Sequence, residues 1–354
     1  MSRARLIKLA MAVLGIAVFI LALQLLKEGA GGLVPVMRTL SIESGDRLID
    51  MAHALGFGWL MAYLVLSGSP VAAVALTLLS GGVLSDVQTF AMITGSRLGA
   101  SFIVLFVGFI YHLRGQPRIA SVSIGVLALL VTATIYLPAM ALGYGVLMQG
   151  SLDALHFSSP GAINSVLETV YDPIVSWAVA LLPRWAVFLA GLGILLLAFN
   201  IFDRALPEID PERTGFERIA DMVYRPLVMF ILGLAVTTLT LSVSVSLTML
   251  VPLSTKGYVR RENLIPYIMG ANISTFVDTL FASLLVNHPR AFTIVLVEML
   301  SVGVISLVIL LLFYAGYQRR MEDALELILR NNRTLAVFLG ALLLIPLVLL
   351  LVRL

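Results

Sequence analysis

Leu66-Ser67-Gly68-Ser69 decides how the chain is read, because Leu241-Ser242-Val243-Ser244 repeats it 175 positions later. The same offset carries Gly58 onto Gly233, Gly82 onto Gly257, Ile93 onto Ile268, Gly95 onto Gly270 and Leu105-Phe106 onto Leu280-Phe281, with no gap between 58 and 106. Identities between two apolar stretches count for little. The shared Ser-x-Ser and glycine punctuation counts for more. Each copy breaks one apolar run and then a second, at Gly95-Ser-Arg-Leu-Gly-Ala-Ser101 and at Gly270-Ala-Asn-Ile-Ser-Thr275. Paired interrupted hydrophobic segments in the two halves of a chain point to a transporter binding site.

Composition sets the solvent. The 354 residues are 60% hydrophobic and 12% charged, where a water-soluble chain carries about 25% charged residues. With a mean hydropathy of +1.04 and apolar runs of spanning length, the expected fold class is an all-α, polytopic membrane protein. A net charge of +3 suggests no nucleic-acid partner, and the absence of cysteine excludes disulfides and thiolate metal sites. His53, His112, His156 and His288 are scattered without ligand spacing. No nucleophile–base pair or His/carboxylate constellation presents itself, so no enzyme activity and no organic or metal cofactor is expected. Met1 to Lys8 is basic, and the apolar run after it reaches Leu26 without a small-residue cleavage site, which predicts a retained first span.

The expected organisation is a first repeat over 1–120 (hairpin 56–79, broken helix 89–111), two connecting spans over 121–202 and a charged cytoplasmic linker at 203–225. A second repeat core follows over 226–317 (hairpin 227–253, broken helix 264–286). An amphipathic cytoplasmic helix and a last span close the chain over 318–354. Residues 27–55 read as a surface loop with short helices. The positive-inside rule chooses between hairpins that turn back and segments that cross. With a cytoplasmic N-terminus and two re-entrant hairpins, 16 of the 23 Lys and Arg fall inside, and the acidic loop 148–172 falls outside. Letting 56–79 cross moves linker 203–225 outside instead. The re-entrant arrangement makes the two repeats inverted, in an integral protein of the cell (inner) membrane. A hairpin of two roughly ten-residue arms reaches about half of the ~30 Å hydrocarbon layer. Its Ser-bearing tips then meet near the midplane, where hydroxyls and free helix-end N–H groups replace water around an ion.

At these residues the chain resembles the sodium/phosphate cotransporter family, the type II and bacterial symporter group. Val251-Pro-Leu253, Gly257, Glu262, Pro266 and Gly270-Ala-Asn-Ile-Ser-Thr275 sit at that family's spacing, and Gly82, Leu84-Ser85, Gln88 and Gly95 keep the frame in the first repeat. The likeness covers roughly 50–115 and 225–300. It implies two inverted repeats, alternating access, phosphate as substrate and sodium as coupling ion. It departs at the tips: the family's glutamine is Leu66 and Leu241 here, and its middle serine is Gly68 and Val243. In the first repeat's second motif, Asn and Thr have become Arg97 and Ala100.

The expected function is secondary active transport of a small inorganic anion, phosphate first. The competing reading is a transporter-like membrane protein that binds or senses an ion without moving it. The candidate binding residues are Ser67, Ser69, Arg97, Ser242, Ser244, Asn272, Ser274, Thr275 and Asp278. Ser242, Ser244, Asn272 and Thr275 are the positions for sodium that the resemblance implies. Against these stand plainer roles. Small hydroxyl residues permit close helix packing in membranes, and Asn272 and Thr275 serve equally to cap a broken helix. Arg97, a charge inside a span, is either a fixed cation for an anion or half of an ion pair with Asp278 or Glu298. Asp278 and Glu298 are in turn cation sites, proton sites or ion-pair partners.

Overall fold

The computed structural model describes residues 3–35, 46–115, 118–150, 152, 167–205, 225–251, 263–286 and 288–351. Among these there are helices and turns and no strand. Eight helical stretches are long and apolar enough to cross a membrane: Ile7–Leu33, Arg47–Val65, Asp86–Leu113, Ser121–Gln149, Arg184–Ile201, Leu264–Leu285, Ala291–Leu329 and Asn332–Leu351. Large apolar side chains such as Leu311, Leu312, Phe313 and Val337 point outward, as lipid-facing residues do. The chain is an all-helical, integral membrane protein.

Helix α1 (Arg3–Gly29) runs into a 3-10 turn at Ala30–Leu33. Helix α2 (Arg47–Val65) starts where the Asp46 carboxylate accepts from the Leu48 N–H (2.8 Å) and the Ile49 N–H (3.5 Å), satisfying orphan donors of the first turn. The expected loop at 27–55 is therefore helical over both of its ends, and the helix that ends before Leu66 begins at Arg47 rather than Gly56. Arg47, Asp50 and His53 interrupt the apolar pattern without interrupting the helix, and His53 is buried. Helix α2 stops at Leu66, whose left-handed backbone (φ 55°) is followed by Ser67-Gly68. Helix α3 (Ser69–Ser80) then opens with Pro70 in its first turn, where a missing N–H costs nothing.

Helix α4 (Asp86–Ala100) starts on a capping box between Ser85 and Gln88, and after Ser101 the chain continues as α5 (Phe102–Leu113). The break is thus confined to Ser101, not spread over Gly95–Ser101. Those glycines serve packing: a Cβ on Gly95 would lie 2.1 Å from the Leu55 carbonyl oxygen. Helix α6 (Arg118–Gln149) contains Pro138 and packs against α4 and α5. A π-turn at Leu167–Tyr171 leads to α7 (Asp172–Leu181), and α8 (Arg184–Ala205) lies along α1. Residues 151 and 153–166 of the expected outer loop 148–172, and most of linker 203–225, lie outside the described residues.

In the second copy, α9 (Pro226–Thr240) ends at Leu241 (φ 49°), and Ser242 caps the short α10 (Val243–Thr248) by accepting from the Val245 N–H at 3.3 Å. Among the described residues, Leu66 and Leu241 are the non-glycine residues with positive φ, a conformation that strains an ordinary side chain by about 1–2 kcal/mol. They are also the pair that the 175-residue offset equates. The expected basic turn at 256–263 lies, but for Asn263, outside the described residues, as does the end of the expected hairpin at 252–253. Helices α11 (Leu264–Ser274) and α12 (Phe276–Leu285) meet at Thr275.

The crossing of α2 on α4 recurs in that of α9 on α11. A Cβ on Gly58 would lie 2.2 Å from the Met92 carbonyl oxygen, and one on Gly233 2.1 Å from that of Tyr267. Likewise Gly95 abuts the Leu55 carbonyl and Gly270 abuts that of Phe230, at 2.0 Å. Every partner is offset by the same 175 positions. Helix α13 (Ala291–Val308) continues through a π-turn at Ile309–Phe313 into α14 (Tyr314–Leu329), and α15 (Asn332–Leu351) packs back on α2. The amphipathic helix expected from 318 therefore starts at Tyr314. Its apolar stripe, Met321 and Leu325, is buried, and the Tyr317 hydroxyl is 2.7 Å from that of Thr134 in α6.

Candidate functional site

The two polar breaks meet. Ser67, Ser69 and Pro70 of the first tip share one pocket of about 220 Å³ with Leu241 and Ser242 of the second, and α8 closes it with Asn200. Ser69 is buried at the start of α3, where the first-turn N–H groups have no partners within the helix. Ser67 and Ser242 are half-buried. The pocket is small; its polar lining is three hydroxyls and one carboxamide with no carboxylate, set among apolar residues such as Leu66, Phe199 and Leu241.

Arg97 stands behind this pocket. Its side chain is 1% exposed, and its Nη1 donates to Ser69 Oγ (3.4 Å) and Thr275 Oγ1 (3.1 Å). Its Nη2 donates to Thr279 Oγ1 and lies 3.5 Å from Asp278 Oδ1. Thr279 in turn donates to the same Asp278 oxygen at 2.9 Å. The guanidinium carbon is 5.0 Å from the centre of the Phe276 ring, which stacks on Tyr136. The ion pair is thus with Asp278, across the two repeats, and not with Glu298. Arg97 Nε and Asp278 Oδ2 have no hydrogen-bond partner among the described residues.

Asn272, the position equivalent to Arg97, is engaged elsewhere. Its Nδ2 donates to Thr132 Oγ1 at 3.2 Å, and its backbone carbonyl accepts from the Tyr136 hydroxyl at 2.8 Å. Thr132 also meets Ser101 Oγ at 2.9 Å, so α6 ties the break in one copy to the motif of the other. Ser274 turns back on the carbonyls of Gly270 and Ala271 in its own helix. Ser244 is half-buried and does not line the shared pocket. Of the nine candidates, Ser67, Ser69 and Ser242 line the pocket, and Arg97, Thr275 and Asp278 form one network reaching it through Ser69. Asn272, Ser274 and Ser244 stand apart. Of the four positions for sodium, Thr275 accepts from Arg97, Asn272 meets Thr132, Ser242 caps α10 and Ser244 does not line the pocket.

Sequence reasoning missed Asn200, Thr132, Thr279 and Thr94. Asn200 carried a signal, being a carboxamide inside an apolar span. The threonines carried none, since helix interiors in membranes use such residues widely for packing. Glu298 is 2% exposed, and its Oε1 accepts from Thr94 Oγ1 at 2.8 Å.

A larger cavity of about 700 Å³ opens at the N-terminal ends of α2 and α4, lined by Arg47, Asp50, Asp86, Gln88 and Arg290. Arg290 Nη1 pairs with Asp86 Oδ2 at 3.0 Å. Beside it His288 Nδ1 accepts from the Arg290 N–H at 3.3 Å. Burial pushes this imidazole below its ordinary value, with Asp86 opposing. The cavity is bigger than the pocket between the tips, and its charges are of both signs, with Arg290 paired to Asp86. No family model matches the chain, and neither does any curated protein or any solved structure.

Proposed function

We propose that the protein is a secondary transporter of a small inorganic anion, phosphate first, working by alternating access between two inverted repeats with re-entrant hairpins. The observation that carries this reading is Ser69, which lines the pocket between the two tips and also accepts from the buried Arg97. Hydroxyls and free helix N–H groups backed by a guanidinium suit an oxyanion. Re-entrance is supported by the level of the first tip. A Cβ on Gly68 would lie 2.8 Å from the Ser96 carbonyl oxygen and 3.0 Å from Ala100 Cβ, near the middle of the Asp86–Leu113 span. Helix α2 has the length to cross, yet its end stops at that middle level. Inversion and a cytoplasmic N-terminus in the cell membrane rest on the distribution of Lys and Arg, and the resemblance to sodium/phosphate cotransporters adds the substrate class and sodium as coupling ion.

The test is phosphate uptake into proteoliposomes with and without a sodium gradient, beside calorimetric phosphate binding in detergent. Uptake above protein-free liposomes, reduced by Ser69→Ala with Ser242→Ala, is the expected result. Binding without flux would favour the ion-binding reading, and neither binding nor flux would refute both.

A further inference from the structure

We infer that Glu298 is a proton-carrying site coupled to anion binding, so that the anion moves together with a proton on this carboxyl. The inference rests on the transporter reading and adds a proton as a coupling ion beside the sodium that the resemblance suggests. Glu298 is buried in α13 and has one hydrogen bond, from Thr94; its Oε2 has no partner among the described residues. Even the Thr94 hydroxyl is shared, since it also reaches the Phe90 carbonyl at 3.0 Å.

A buried carboxylate needs a counter-charge. Arg97 is the sole buried Lys or Arg among the described residues, and it faces two acids. Its closest carboxylate is Asp278 at 3.5 Å, which leaves the cluster one positive charge short when Glu298 is ionised. A proton supplies that charge without a coordination shell. A metal cation would need several oxygens in place of its water, and Oε2 lacks even one hydrogen-bonding neighbour.

The groups around Glu298 come from every helix packed on α13. Helix α4 brings Arg97, α6 brings Tyr136 and α12 brings Asp278. Helix α3 carries no titratable residue. Tyr267 of α11 is bonded to Ser246, and Asp86 at the far end of α4 is paired with Arg290. Tyr144 lies two turns beyond Tyr136 on α6, and Arg118 is the first residue of that helix.

Coupling follows from charge. Thr94 and Arg97 are three residues apart on α4 and share a face. With Glu298 ionised, the cluster carries a net negative charge and repels an arriving anion. With Glu298 protonated it is neutral, and Arg97 can turn toward the pocket through Ser69. Proton and anion therefore each raise the other's affinity by the same factor, which for coupled sites is about 5- to 150-fold. The proton comes from water on the loading side and returns to water on the other.

Two experiments on the full chain test this. The first is infrared titration in detergent without any anion. It should show a protonated-carboxyl band that is lost as pH rises and is absent from Glu298→Gln. Identical spectra for the two proteins overturn the inference. If Glu298→Gln fails to fold, Thr94→Val serves: it keeps the carboxyl and should move the pH at which the band disappears, and an unmoved band overturns the inference. The second is phosphate uptake driven by an inward proton gradient in proteoliposomes. Glu298→Gln should keep phosphate counterflow and lose the response to the gradient about tenfold or more. Phosphate's own titration is common to both proteins and cancels. A full response in Glu298→Gln, or a parent protein driven by sodium and indifferent to pH, overturns the inference. No phosphate movement by the parent protein overturns the transport reading and the coupling with it, while the infrared band still decides whether Glu298 takes a proton.

Discussion

Arg97 is where stability and function can be separated. Arg97→Gln leaves Asp278, whose side chain is 9% exposed, without its cation, and Asp278→Asn leaves the guanidinium without its anion. Breaking a buried pair from one side costs about 3–5 kcal/mol, whereas removing both partners is often nearly neutral. Each single substitution should therefore lower the unfolding free energy in mixed micelles by about 3–5 kcal/mol, and the double variant should regain most of it. Phosphate affinity should behave differently. If Arg97 supplies the anion's charge, the double variant remains defective, because a charge-assisted hydrogen bond is worth about 1.5–3 kcal/mol, or roughly 10- to 100-fold in affinity. A double variant no more stable than the worse single one refutes the pairing argument. A double variant that is stable and binds phosphate like the parent refutes the fixed-cation argument.

Three further outcomes follow. Gly270→Ala should destabilise by about 3 kcal/mol or more, because its Cβ would lie 2.0 Å from the Phe230 carbonyl oxygen, while Gly303→Ala, with nothing within 4 Å, should be neutral; equal melting of the two would refute the close crossing. Leu66→Gly and Leu241→Gly should each relieve about 1 kcal/mol of left-handed strain, read as a raised midpoint in thermal unfolding; loss of stability at both sites would show that the leucine side chains matter more than the backbone. Burial holds His288 below the ordinary 6.5, so as pH falls past that value the unfolded chain takes up a proton before the folded one, and stability present above it is lost. His288→Gln should flatten that part of the pH–stability curve, and an unchanged curve would rule His288 out.

Much of this architecture is legible in the sequence because polar breaks stand out against apolar runs. The two Ser-x-Ser breaks and their common offset follow from positions alone, and the structure brings both breaks to one pocket. The start of α2 at Arg47 was hidden because Arg47, Asp50 and His53 break the apolar pattern, while the cap that starts the helix is the side chain of Asp46. The glycines of Gly95–Ser101 look like helix breakers, yet two helix backbones touch at Gly95, a tertiary fact with no local signature. The partner of Arg97 was equally hidden. Sequence offered Asp278 and Glu298 alike, and only the packing of α12 against α3 brings Asp278 to the guanidinium that Arg97 extends from α4. Asn272 shows the opposite case: its motif marks it as a ligand, and α6 occupies it with Thr132.

The four glycine contacts of these two crossings have a mechanical consequence. Where carbonyl oxygens of one helix lie against the Cα atoms of another, there are no side chains to yield, and the pair cannot slide or roll. Helix α2 with α4, and α9 with α11, are therefore two stiff levers. The helical backbone is interrupted at the single residues where each lever meets its continuation, Ser101 and Thr275, and at the two left-handed leucines of the breaks. The place where the chain is least regular is also the place where it can bend, and it is there that the pocket lies.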